Sequence, residues 1–442
     1  MTSSRYVRTK TPVVVVLALL VFMTVVLMNA GSAGSAPVEQ GQKTGKASRA
    51  PGVLISSQVV SAPTINGTTY EVEYWSESVP TNKLVKVTGL VIVPNGTPPA
   101  GGWPVVTWGH PTDGMTGNCA PSLDPATDVP FVNDLLAQGW EVTSSDYLNE
   151  NALAPTSKKV LPYFVGEEAA RNVIDIVRAA RNMPAADAGS DYQVWGWSEG
   201  GQTALWVSNI ATAYAPELTL KGAVATAPAA EFVSALYPSL AANPEYWPLL
   251  LMLAEGVSSA YGKAAAPLTQ MLTKTGTKLI KSVITTEPQC LTGILDTLAS
   301  HYSYNQLFLS EAVPPNWQTL LDQSDPADFT VAGPAPVLLV HGSADTTAPT
   351  ATSASLAQAL CSFSPPQHLE RWVYTGLDHI SIIGTATGPS DPNGNGDSAY
   401  QNSASVGDII QWMSDRFADG VWPDPYVPTG AGLTTVTQTD TC

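Results

Sequence analysis

The stretch Tyr192-Gln193-Val194-Trp195-Gly196-Trp197-Ser198-Glu199-Gly200-Gly201-Gln202 runs from a strand-like segment into a helix-like segment that continues to Ala213. Between the two lies Gly-x-Ser-x-Gly, the arrangement of a nucleophile elbow. Gly196 and Gly200 lack Cβ atoms, so a sharp turn between them can hold Ser198 in a strained conformation without clashes. The N-terminus of the following helix then points backbone N–H groups at any negative charge developing nearby. The motif is short enough to arise by chance, and an ordinary Gly-rich turn is the competing reading. Gly256-Val257-Ser258-Ser259-Ala260 fits a loosened version of it inside a Leu/Ala-rich stretch. Context separates the two: Ser198 has a strand before it and an amphipathic helix after it, with Leu205, Ile210 and Ala211 as apolar positions.

Outward from the elbow, strands and helices alternate. Thr68 to Tyr74 and Leu84 to Val93 read as antiparallel strands joined at Pro80-Thr81-Asn82. Pro104 to Trp108 is a buried-type strand, Phe131 to Ala137 a helix and Glu141 to Ser145 a strand. Glu167 to Asn182 is an amphipathic helix with Ala170, Val173, Ile174 and Val177 on one stripe. Gly222 to Ala227 is the strand after the elbow helix. From residue 230 to 323 strand signals fade, and helices interrupted by Pro238, Pro244, Pro248 and Pro267 take over. Alternation resumes with strand Pro336 to Val340, helix Thr352 to Leu360, strand Leu369 to Tyr374 and helix Ser403 to Phe417. This pattern predicts one α/β domain, a mostly parallel sheet flanked by helices, with an inserted helical cap over 230–323.

Residues 1–36 read as a secretory signal: Arg5, Arg8 and Lys10, then apolar Val13 to Met28, then small-residue cleavage sites at 31–36. An uncleaved membrane anchor is the alternative, the apolar run being short for a span. Residues 37–52 read as a flexible leader, which leaves 53–442 as the folded body. The whole chain of 442 residues carries a net charge of −17, and loss of the signal deepens it to −20. Such a surface repels nucleic acid and anionic head groups. Four cysteines in an exported chain allow three pairings of two disulfides, of which Cys119–Cys290 with Cys361–Cys442 is the one favoured. No Cys/His spacing suits a metal, and no cofactor is expected. Asn66-Gly67-Thr68 and Asn95-Gly96-Thr97 are glycosylation sequons.

A serine nucleophile needs a base and the base an orienting acid. The chain has five histidines. His301 falls in the cap, His368 opens a strand, and His110 and His341 end strands beside turns, where bracing a loop is the default. His379 follows the last long strand, on a loop that can return an imidazole to the serine. The acid precedes the base in this architecture. Asp345 fits, in Val337-Leu338-Leu339-Val340-His341-Gly342-Ser343-Ala344-Asp345; Asp378 is the runner-up. The oxyanion donors would be the N–H of Glu199 and, because Pro111 has none, that of Thr112, with Asp113 as alternative.

With these pieces placed, the chain resembles the secretory lipase family from about Pro51 to Cys442. The likeness is carried by Thr88 to Pro94, Asn118-Cys119-Ala120-Pro121-Ser122, the elbow, His341 to Asp345, and Gly376-Leu377-Asp378-His379. It implies an α/β-hydrolase fold, a triad at Ser198, Asp345 and His379, a helical cap over an acyl site and two disulfides. The chain departs from the family at Pro111, where relatives commonly have Gly. The resemblance thus points to a secreted hydrolase of lipid esters working through an acyl-enzyme. Its expected partner is a lipid or ester substrate, with room for transient contact at a lipid interface; oligomeric state has no signal in the sequence. Tyr237, Leu249 to Leu253, Tyr261, Leu268 and Leu272 are the cap residues expected either to shape the acyl site or to pack as core. An acyltransferase, a peptidase of the same fold and a non-catalytic binding protein are the rival readings.

Overall fold

In the computed structural model, the described residues are 49–286, 290–299, 301–384, 404–439 and 441–442. The expected signal and most of the expected leader lie outside them. No helix among the described residues is long and apolar enough to cross a membrane.

Ten strands form one sheet: β1 (Leu54–Val59), β2 (Gly67–Ser78), β3 (Lys83–Pro94), β4 (Trp103–Gly109), β5 (Glu141–Ser145), β6 (Ala188–Trp197), β7 (Thr219–Thr226), β8 (Val337–Gly342), β9 (Leu369–Tyr374) and β10 (Val436–Thr439). Their spatial order is β1-β2-β3-β5-β4-β6-β7-β8-β9-β10. From β5 through β9 all neighbours are parallel, while β1, β2, β3 and β10 add antiparallel pairings at the two margins. Strands β5 and β8 are buried along their lengths, and β6 and β7 over most of their C-terminal halves, as strands covered on both faces must be.

Between and around them lie α1 (Pro125–Asp128), α2 (Val132–Ala137), α3 (Gly166–Arg181), α4 (Glu199–Tyr214), α5 (Tyr237–Ala242), α6 (Trp247–Tyr261), α7 (Lys274–Leu279), α8 (Cys290–Leu298), α9 (Tyr304–Leu307), α10 (Pro315–Asp322), α11 (Thr350–Cys361) and α12 (Val406–Phe417). Strand alternation sorts the core into two layers. Val105, Val194, Ala223 and Leu339 pack with Val173, Ile174 and Val177 of α3, Leu205 of α4 and Leu356 of α11. Their neighbours Val106, Trp195, Val224 and Leu338 face the other way, onto Leu135 of α2 and Ile409 and Trp412 of α12.

Helices α5 to α10 fill the connection between β7 and β8. There Pro238 and Pro248 sit in the first turns of α5 and α6. Proline lacks only an N–H that a first turn leaves unpaired anyway, so these residues start helices instead of interrupting them. Two strands had no clear sequence signal: β1 and β10 are largely exposed edge strands, without the alternation that marks a half-buried one. At the other end of the expectation, residues 49–52 of the leader belong to the body. The Gly52 N–H donates to the Trp75 carbonyl at 2.6 Å and the Arg49 guanidinium lies 5.2 Å over the Trp75 ring.

Two disulfides tie the fold together, Cys119–Cys290 and Cys361–Cys442, with Cα separations of 5.5 and 5.7 Å. The first joins the segment after β4 to the start of α8 in the insertion; the second joins α11 to the last residue.

Candidate active site

Strand β6 ends at Trp197 and α4 begins at Glu199, so Ser198 is the whole of the turn. Its backbone, φ 60° and ψ −116°, is one a non-glycine residue holds only when its surroundings enforce it. The Ser198 N–H donates to the Thr226 carbonyl at 3.0 Å, and its own carbonyl accepts from the Ala229 N–H at 3.1 Å. Close packing explains the flanking glycines. A Cβ on Gly196 would stand 1.9 Å from the Gly200 carbonyl oxygen, and one on Gly200 only 1.8 Å from that of Gly109.

The loop after β9 brings the His379 Nε2 to 2.9 Å from the Ser198 Oγ. On its other side the His379 Nδ1 lies 2.7 Å from the Asp345 Oδ2. Asp345 comes from the turn after β8. Its Oδ1 accepts from the Thr347 and Ala348 N–H groups, both at 2.9 Å, and its Oδ2 also lies 3.2 Å from the His341 Nε2. Burial alone would raise this carboxyl, but the hydrogen bonds from His341 and His379 outweigh it and hold Asp345 well below the usual range. Asp378 is turned away from the imidazole: its carboxylate accepts from the N–H groups of Ile380 and Ser381. His341 braces the turn, its Nε2 2.8 Å from the Ala348 carbonyl. A further bond was invisible in the sequence: the Trp197 indole N–H donates to the His379 carbonyl at 2.9 Å.

Facing the elbow is the loop after β4. His110 is buried, stacked 4.0 Å from Tyr147, with Nδ1 2.7 Å from the Pro111 carbonyl and 3.1 Å from Asp113. Burial would lower this imidazole, yet the hydrogen bond and charge of Asp113 carry it up to about 9. Thr112 lines the cavity beside Ser198. Its hydroxyl donates to the Glu199 Oε2 at 3.1 Å and lies 2.7 Å from the Tyr163 hydroxyl. Glu199 is buried, and burial pushes its carboxyl up to about 8, against the pull of His110 and the Thr112 bond. Its N–H belongs to the first turn of α4, which has no intrahelical acceptor.

A cavity of about 490 Å³ opens at Ser198 and His379. Leu236, Leu240, Tyr246, Leu249, Leu291 and Leu295 of the insertion form its apolar wall. Of the cap residues singled out in the sequence, Leu249 lines this wall. Tyr237, Leu250 to Leu253 and Leu272 are buried in the core, and Tyr261 and Leu268 pack against it. A side chain at the mouth and one in the core carry the same apolar signal, so sequence cannot separate them.

The family model for secretory lipases matches residues 120–370 of this chain. Lipase 7 of Candida albicans is 34% identical over 98 residues, which are 22% of this chain and 21% of that protein. A Mycobacterium tuberculosis protein described as a probable inactive lipase is 30% identical over 155 residues, 31% of this chain and 32% of its own. This chain therefore matches about a fifth to a third of the length of these curated relatives. Lipase A of Candida antarctica in its closed state superposes with a TM-score of 0.68 at 19% identity, covering 86% of this chain and 85% of its own. That likeness concerns the α/β-hydrolase fold.

Proposed function

The chain belongs to the secretory lipase family, and on that premise we propose that it hydrolyses carboxylic esters of lipids through a serine acyl-enzyme. The observation that carries the reading is the position of one imidazole, within hydrogen-bond reach of Ser198 on one side and Asp345 on the other.

In this mechanism the Ser198 Oγ attacks the ester carbonyl while the His379 Nε2 takes its proton. Asp345 keeps the His379 Nδ1 protonated and stabilises the imidazolium without becoming protonated itself. Negative charge developing on the carbonyl oxygen is met by the N–H groups of Glu199 and Thr112, each worth roughly 3–4 kcal/mol in the transition state. His379 then protonates the leaving alcohol, and water releases the acid by the same path reversed. The apolar wall from the insertion suits an acyl chain. The family's name and the two disulfides support export to an oxidising compartment.

The test is a chain-length series of soluble and emulsified esters, with Ser198→Ala as control. Hydrolysis that rises with acyl length and vanishes in Ser198→Ala supports the reading. A second reading, a binding protein on a hydrolase fold, is favoured by the relative described as a probable inactive lipase. It predicts no turnover and no labelling of Ser198 by a fluorophosphonate.

A further inference from the structure

We propose that Glu199 is a positioning residue for the oxyanion hole, its side chain fastening the Thr112 loop to the turn that carries Ser198. This deepens the reading above and rests on Ser198 as nucleophile and Thr112 as donor.

Three buried side chains make the fastening. The Tyr163 hydroxyl, from the segment before α3, meets the Thr112 Oγ1 at 2.7 Å, and the Thr112 hydroxyl donates to the Glu199 Oε2 at 3.1 Å. Tyr163 and Glu199 are 1% and 2% exposed and Thr112 9%, so water competes little for these bonds. Because Thr112 donates to Glu199, its oxygen is left to accept from Tyr163. The chain of bonds thus ends on the residue next to the nucleophile. One oxyanion donor is the N–H of Glu199 and the other that of Thr112, so the Glu199 side chain sets the spacing between them. Without it that spacing would depend on a loop beginning with His110-Pro111, where proline supplies no N–H donor.

The fastening has an electrostatic condition. A carboxylate at Glu199 would place negative charge beside the oxygen whose negative charge the hole must stabilise. An uncharged acid keeps the bond to Thr112 and avoids that opposition. The groups facing it are His110 and Asp113 from the loop after β4, Tyr147 and Glu150 from the loop after β5, and Tyr163. Burial and the two acids favour the neutral form; the charge of His110 and the hydrogen bonds from Thr112 and the Phe164 N–H pull the other way without overcoming burial. With the carboxyl at about 8, Glu199 is mostly protonated at neutral pH and ionises in the mild alkaline range.

The experiment is a pH profile of kcat and KM on a soluble p-nitrophenyl ester for wild type, E199A, E199Q, T112V and T112S. Each protein's active fraction is counted by fluorophosphonate titration, and its fold by circular dichroism and thermal melting. E199A and T112V should lose about 10- to 100-fold in kcat with KM little changed, the cost of a displaced donor. E199Q and T112S, which keep the bond, should recover most of that loss. Wild type should lose kcat above about pH 8, and E199Q should not. The proposal is overturned if folded E199A matches wild type, if E199Q is as slow as E199A, or if E199Q keeps the wild-type alkaline fall. Ser198→Ala separates this from the parent reading: activity surviving there sinks both, whereas an inert Ser198→Ala beside an unaffected E199A sinks this proposal alone.

Discussion

The indole N–H of Trp197 is hydrogen-bonded to the main-chain oxygen of His379 at 2.9 Å, and their rings lie 5.5 Å apart. The residue before the nucleophile thereby holds the loop that carries the proposed base, across 182 residues of sequence. Trp197→Phe keeps an aromatic ring and removes the donor. One hydrogen bond of this kind contributes about 1 kcal/mol, so kcat/KM should fall about 5- to 10-fold. Fluorophosphonate labelling should slow by a similar factor, since both reactions need the same imidazole. Stopped assays and labelling time courses on one preparation check it.

Asp345→Asn should be far more damaging. Asparagine keeps much of the shape but can hold the imidazole in the wrong tautomer, which costs about 10⁴-fold in serine hydrolases. Asparagine is the better test than alanine. Removing the side chain would also strand the Thr347 and Ala348 N–H groups and leave His341 without its acid. The expected result is a protein with wild-type circular dichroism and a kcat lower by about 10³–10⁴.

Stability should increase as pH falls from alkaline towards mildly acidic. Buried Glu199, Asp128 and Asp146 have carboxyls at about 8, 7 and 6, against ordinary values of 4.5 or 3.8. Between the ordinary and the folded value the native state holds a proton that the unfolded state has released, so raising the pH destabilises the fold. His110 acts in the same direction: its pairing stabilises fully below 6.5 and is lost as pH rises through about 9. Asp345 has the opposite sign. Its contribution is present above 3.8 and fades only as pH drops below that. Thermal melts from pH 9 to 3 should therefore show a maximum in the mildly acidic range, with the midpoint at least a few degrees (~3 °C) above its alkaline value. A midpoint that climbs steadily with pH would contradict the assignment.

The two disulfides should separate in their effects. Cys119–Cys290 closes a sequence separation of 171 residues and Cys361–Cys442 one of 81, so each should contribute about 2–5 kcal/mol to stability. The first has a second consequence. Leu291, next to Cys290, lines the Ser198 cavity, and its N–H is bonded to the Asp113 carbonyl at 2.7 Å. Replacing Cys119 and Cys290 by alanine should change the acyl-length preference as well as the melting temperature. Replacing Cys361 and Cys442 should change the melting temperature alone.

The parts legible in the sequence are those with a local signature. The bounds of β5 and β9 agree with the short strands read between turn and helix signals, and α3 follows from its stripe of Ala170, Val173, Ile174 and Val177. Ser198, Asp345 and His379 stand out because each sits shortly past the C-terminal end of a strand. What was not legible depends on partners remote in the chain. Nothing near Tyr163 announces that its hydroxyl meets Thr112, 51 residues earlier, and nothing near Trp197 announces its bond to His379. Nothing in the sequence marks the Glu199 side chain as buried, yet the fold leaves it 2% exposed and bonded to the loop after β4. The edge strands β1 and β10 escaped for the reverse reason: their pairing is through the backbone and their side chains show no buried face.

Fluorophosphonate labelling of the wild-type protein, with the modified residue located by peptide mass spectrometry and Ser198→Ala run in parallel, tests the central claim most directly. A nucleophilic Ser198 should give one adduct, on Ser198, formed at a rate that follows ester hydrolysis and absent from Ser198→Ala. An unlabelled wild-type protein that still hydrolyses esters, or an adduct that persists in Ser198→Ala, would contradict it.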